Sequence, residues 1–135
     1  MSIDTMTTPH SAPFLLDNTL RPDPQWALFL DLEMGRGADG AMTGYAFPEM
    51  LRRVVDLSAT DPEAAADIFD AHLPLLRYEH QPGIGLAIRK HILAQRGAIA
   101  HRDLRAPGPR LSRAAEAEIS WLLRRLERKD PVARM

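Results

Sequence analysis

Gly37-Ala38-Asp39-Gly40-Ala41-Met42-Thr43-Gly44-Tyr45-Ala46-Phe47-Pro48-Glu49 is the stretch on which the reading of this chain turns. Residues 40–46 are short, bounded by glycine and not amphipathic, which suits a buried parallel strand and equally an extended loop. Phe47-Pro48 then opens a helix, because proline is well placed at a first helical position. Met50, Leu51, Val54, Val55 and Leu57 form that helix's inner face. One strand has no ladder partner, and its amides and carbonyls would go unpaired if buried. It either pairs with a second copy or belongs to a sheet outside these 135 residues.

Upstream, residues 1–23 mix Thr, Ser, Pro and Asp around one apolar patch, Phe14-Leu15-Leu16, and read as an irregular arm. Asp23-Pro24 supplies a cap and a first-turn proline for a helix over 24–35, carried by Ala27, Leu28, Leu32 and Met34 and stopped at Gly35 or Gly37. Downstream, Thr60-Asp61-Pro62-Glu63 reads as a capping box, with Thr60 bonding the Glu63 amide. A helix over 62–79 follows, with Ala65, Ile68, Phe69, His72, Leu73 and Leu76 on one side and a kink expected near Asp70 from Pro74. After Pro82-Gly83, Ile84, Ile88 and Ile92 mark a helix over 84–96 that ends at Gly97. Residues 98–111 are a linker containing Pro107-Gly108-Pro109. Ser112 caps a final helix with an apolar stripe of Ala115, Ile119, Leu122 and Leu126. Its acids Glu116 and Glu118 come early and its bases Arg124, Arg125, Arg128 and Lys129 late, matching the helix dipole. The isolated chain is therefore expected to be mostly α.

The bulk composition narrows the function classes. A net charge of −1 and the lack of basic clusters with interleaved aromatics argue against a nucleic-acid partner. With no cysteine, disulfides, thiolate nucleophiles and zinc–sulfur sites are excluded, and a cytoplasmic location is expected. The N-terminus has no basic start followed by an apolar run and no stretch approaches the roughly 18 apolar residues of a membrane span, so neither a signal peptide nor a membrane partner is expected.

The residues offer no self-sufficient catalytic constellation. His10, His72, His80, His91 and His101 lack the spacing of a helical metal pair, so no metal site is expected, and His72 reads as a core residue. None of the five serines sits in a nucleophile-elbow setting. The Gly35–Gly40 region runs helix, glycines, strand, the reverse of a dinucleotide fingerprint. Lys90 and Lys129 are the only lysines, and both read as solvated helix-surface charges. Asp56, Asp70 and Glu79 read as ordinary helix acids with arginines within four residues.

The run from Gly37 to Gly44, then Phe47-Pro48-Glu49-Met50-Leu51, resembles the eighth strand and helix of the dihydrodipicolinate synthase / N-acetylneuraminate lyase family. The likeness continues through Leu73-Pro74-Leu75-Leu76, Gln81-Pro82-Gly83, the Lys90–Gly97 run and Arg105-Ala106-Pro107, and covers roughly residues 27–127. Met42-Thr43-Gly44-Tyr45-Ala46-Phe47-Pro48-Glu49 is most similar to the sugar-acid dehydratase and aldolase branch. The resemblance implies the last β/α unit and C-terminal helices of a (β/α)8 barrel, a fold of about 250 residues. Residues 24–135 would form that part.

The resemblance also implies a class I lyase, in which a lysine amine forms a Schiff base with pyruvate or a 2-oxo sugar acid and no further cofactor is needed. The family's lysine, its tyrosine and its carboxylate-binding Thr/Ser pair all lie upstream of the matched region, so no catalytic residue carries over. Only Met42 and Thr43 transfer, as residues lining the substrate pocket. Two prolines at Pro22 and Pro24 do not suit the family's seventh strand, which suggests a truncated reading frame. On this reading the chain is a lyase fragment, inactive alone. The alternative is a non-catalytic helical interaction module that docks onto a homologue or a complementary barrel fragment, or forms a homo-oligomer.

Overall fold

The computed structural model describes residues 28–41 and 43–135, and these contain five α-helices: α1 (Leu30–Gly35), α2 (Pro48–Ser58), α3 (Pro62–Glu79), α4 (Gly85–Gln95) and α5 (Arg113–Lys129). They divide into two compact units. One holds the described residues through Gly44 together with Glu49–Phe69, the other Tyr45–Pro48 together with Asp70–Met135.

In the first unit α1 begins at Leu30, after a 3-10 turn at 28–29, and positions 24–27 of the expected helix lie outside the described residues. The expected arm also lies outside them. Both α1 and α4 end alike, with a glycine of positive φ just past the cap, Gly37 at 96° and Gly97 at 73°. In each, the glycine amide bonds one carbonyl of the last turn and the next amide bonds the carbonyl before it: Gly37 to Met34 and Ala38 to Glu33, Gly97 to Ala94 and Ala98 to Leu93. This double bond satisfies carbonyls the helix end would otherwise strand. Met50 and Val54 of α2 are buried, whereas Leu51, Val55 and Leu57 are half-buried. The capping box is corrected. The carboxylate of Asp61, one residue after Thr60, accepts from the Ala64 amide at 3.1 Å. Asp61 already lies at the turn, where its short side chain reaches the first free amides.

In the second unit α3 continues unbroken through Pro74 to Glu79. Gly85, the first residue of α4, is required sterically: a Cβ there would run into the backbone carbonyl oxygen of Glu79. Helix α5 behaves as its sequence predicts. The Ser112 hydroxyl accepts from the Ala115 amide at 3.1 Å, and Ile119, Leu122, Leu123 and Leu126 are buried. Each such aliphatic side chain contributes about 1.5–3 kcal/mol when withdrawn from water.

The expected strand over 40–46 does not form among the described residues, and no other strand does. A strand needs a neighbour to complete its ladder. Tyr45, Ala46 and Phe47 are nevertheless buried, at 4%, 0% and 0% exposure, so their backbone groups must find other partners.

Candidate functional site

For Ala46 those partners are side chains from α3 and from the turn after α4. The Ala46 amide donates to Glu79 Oε2 at 2.9 Å, and the Ala46 carbonyl accepts from Arg96 Nη1 at 2.5 Å. One residue thus has both backbone groups bonded by charged side chains in place of a ladder. The Arg96 guanidinium also lies 4.0 Å from the Phe47 ring centroid, a cation–π contact. Glu79 is fully buried, and its second oxygen accepts from Arg89 Nε at 2.5 Å. Burial pushes the Glu79 carboxyl above its usual range, against the lowering effects of Arg89 and the Ala46 amide.

Tyr45 is held by a second chain of bonds. Its hydroxyl lies 3.0 Å from His72 Nδ1, and His72 Nε2 lies 2.8 Å from Asp130 Oδ2. A carboxylate only accepts, so His72 carries its proton on Nε2, and Nδ1 accepts from the tyrosine hydroxyl. All three residues are at least 95% buried. The network therefore fixes the Tyr45 side chain and is withdrawn from solvent.

A second polar group lies at the base of the 102–111 loop. Arg102 Nη1 donates to His91 Nδ1 at 2.6 Å and to Glu116 Oε1 at 2.7 Å. His91 is consequently neutral with its proton on Nε2, and that buried nitrogen has no hydrogen-bond partner. Burial, then the charge of Arg102, holds the His91 pKa below the ordinary value. Nearby is a cavity of about 660 Å³ lined by Ala87, Arg102, Leu104, Pro107, Arg110 and Glu116, among others. No lysine lines it. Tyr78 donates to Glu118 at 2.5 Å, and burial and that carboxylate push its phenol up to about 12.

The lysines are not poised as nucleophiles. Lys90 is half-buried and its ammonium donates to the Asp103 backbone carbonyl, while Lys129 is exposed at the last residue of α5. Among the described residues no group of three or more His, Asp or Glu is placed to hold a metal, and no helix is long and apolar enough to cross a membrane. Of the two expected pocket residues, Met42 lies outside the described residues. Thr43 is half-buried, and its hydroxyl is buried without a hydrogen-bond partner among the described residues.

His72 is the core residue its position predicts. Glu79 is not the ordinary helix acid expected. Its partner Arg89 is ten residues away and its other partner is a backbone amide 33 residues upstream. One signal was present, since Glu79 follows His72 by two turns and Leu75 and Leu76 by one, on the buried side of α3. Nothing local marks Asp130 or Arg96.

No protein-family model matches the sequence. The chain is 32% identical over 107 residues to the L-2-keto-3-deoxyarabonate dehydratase of Azospirillum brasilense, a match covering 78% of this chain and 34% of that protein. It also matches the crystal structure of dihydrodipicolinate synthase from Rhodopseudomonas palustris, with a TM-score of 0.74 and 47% identity, over 89% of this chain and 42% of the other. That structure is a (β/α)8 barrel matched over part of its length, and the described residues that match it are helical. The chain thus spans about a third of the curated relative and two fifths of the solved one. Over its matched length the chain resembles part of the dihydrodipicolinate synthase family.

Proposed function

We propose that this chain is the C-terminal portion of a class I lyase acting on a 2-oxo sugar acid or pyruvate. The observation that carries the reading is the 47% identity, at a TM-score of 0.74, to a dihydrodipicolinate synthase. In such chemistry a lysine amine condenses with the C2 carbonyl and expels water. The protonated imine then takes up the electron pair released when a neighbouring bond breaks. The similarity to a 2-keto-3-deoxy sugar acid dehydratase favours loss of water as the following step. Met42 and Thr43 would line the substrate pocket, and the buried, unpartnered Thr43 hydroxyl is suited to a substrate oxygen.

The 135 residues by themselves would not form the Schiff base. Lys90 is engaged with the Asp103 carbonyl, and Lys129 is exposed at the end of α5. Borohydride reduction in the presence of pyruvate or 2-keto-3-deoxyarabonate, followed by mass spectrometry, tests this. No adduct is expected on the chain alone. An adduct is expected on a lysine of a complementary barrel segment when the two are co-expressed. A reduced adduct at Lys90 or Lys129 would overturn the reading.

A further inference from the structure

Residues 102–111 run without secondary structure between α4 and α5 and ring the cavity of about 660 Å³. All of them except Arg105 line it, and Ala87 of α4 and Glu116 of α5 complete the wall. Every lining residue belongs to the second unit. The volume falls within the roughly 300–1,000 Å³ of small-molecule sites.

The loop is fastened at its start. Arg102 bonds His91 of α4 and Glu116 of α5, and the Lys90 ammonium donates to the Asp103 carbonyl. At Gly108 the loop approaches itself closely, since a Cβ there would lie 2.9 Å from the Arg105 carbonyl oxygen and 3.2 Å from the Leu104 Cβ. The walls are thus held in place before any ligand arrives, which lowers the ordering cost of binding.

The lining is polar and of mixed sign. Arg110 and Asp103 form no ion pair among the described residues. Arg102 is engaged through Nη1 alone. Apart from the Asp103 carbonyl, no backbone group of residues 103–110 is hydrogen-bonded among the described residues. Two guanidinium groups, Arg102 and Arg110, face two carboxylates, Asp103 and Glu116. One ligand carboxylate fits the uncommitted Arg110 fork, whereas a second would meet the two acids. Hydroxyls suit the remaining wall, because each can donate to Asp103 or a loop carbonyl and accept from a loop amide. An ammonium can only donate and leaves those amides unmatched.

We propose that the cavity ringed by residues 102–111 binds a small polyhydroxylated monocarboxylate, with its carboxylate on Arg110 and a hydroxyl on Asp103.

Isothermal titration calorimetry of D-gluconate into the full chain tests the proposal, with propionate, glycerol and L-alanine as comparison ligands. Gluconate has no keto group, so its binding is independent of Schiff-base chemistry. The expected result is saturable one-to-one binding of gluconate, with each comparison ligand weaker by at least about tenfold. Arg110→Gln is expected to weaken gluconate by at least about tenfold, through loss of a charge-assisted fork. Asp103→Asn is expected to narrow the gap between gluconate and propionate to about threefold, because the hydroxyl loses its charged acceptor. Circular dichroism checks that both variants keep their helices. Absence of gluconate binding overturns the proposal, as does binding indifferent to Arg110→Gln. Propionate as tight as gluconate would show an unselective anion site, and alanine as tight would show an amino-acid site; either result sinks the assignment.

Discussion

Two polar clusters in the second unit are built from the same materials and finished differently. Around residues 45–47, Glu79 has both oxygens bonded and His72 both ring nitrogens, and the segment they hold is withdrawn from water. At the base of the 102–111 loop, His91 is 95% buried, yet among the described residues its Nε2–H faces no acceptor and its partner Arg102 is half-exposed. A buried polar network is stabilising when complete and a cost when partly satisfied. The first cluster replaces a missing strand ladder, whereas the second carries an unmet donor beside a cavity.

Breaking the complete cluster is expected to cost most. Glu79→Ala leaves the Ala46 amide and a partly buried Arg89 without their acceptor, and should lower unfolding stability by about 3–5 kcal/mol in urea denaturation. Glu79→Gln retains an acceptor for Ala46 and is expected to lose about half as much. His72→Phe keeps the volume but takes away the bonds to Tyr45 and Asp130. A loss of about 2–4 kcal/mol is expected, measured the same way.

The incomplete cluster should respond to pH more than to deletion. Burial holds the folded-state pKa values of His91 and of the half-buried His80 below 6.5. As pH falls below about 6.5, the unfolded chain takes up protons that the folded chain refuses, so stability declines on that side. Above 6.5 both states are neutral at these residues and their contribution is constant. His91→Phe should flatten part of the acid slope in a series of denaturation curves. At neutral pH the same substitution is expected to change stability by less than about 1 kcal/mol, since the lost Arg102 contact is offset by removal of an orphaned donor. A loss at neutral pH as large as that of His72→Phe would erase the distinction between the two clusters.

The parts of the fold that could be read in advance are those set within a few residues. The Ser112 cap, the α5 stripe of Ile119, Leu122 and Leu126, and the stops at Gly37 and Gly97 all formed where their local chemistry places them. Even there, the cap expected at Thr60 is made by its neighbour Asp61, whose side chain reaches the Ala64 amide. The site was much less legible. Thr43 was identifiable by resemblance alone, and the Glu79, Arg96 and Asp130 contacts join residues 33, 50 and 58 positions apart.

The sequence by itself determined the helices, because the spacing of apolar residues, caps and glycines acts along one or two turns of backbone. Tertiary structure alone decided what became of residues 45–47. A buried amide and carbonyl accept any partner of suitable geometry, and which side chains arrive is settled by how distant helices pack. With no neighbouring strand among the described residues, Glu79 and Arg96 supply the bonds that a ladder would have made.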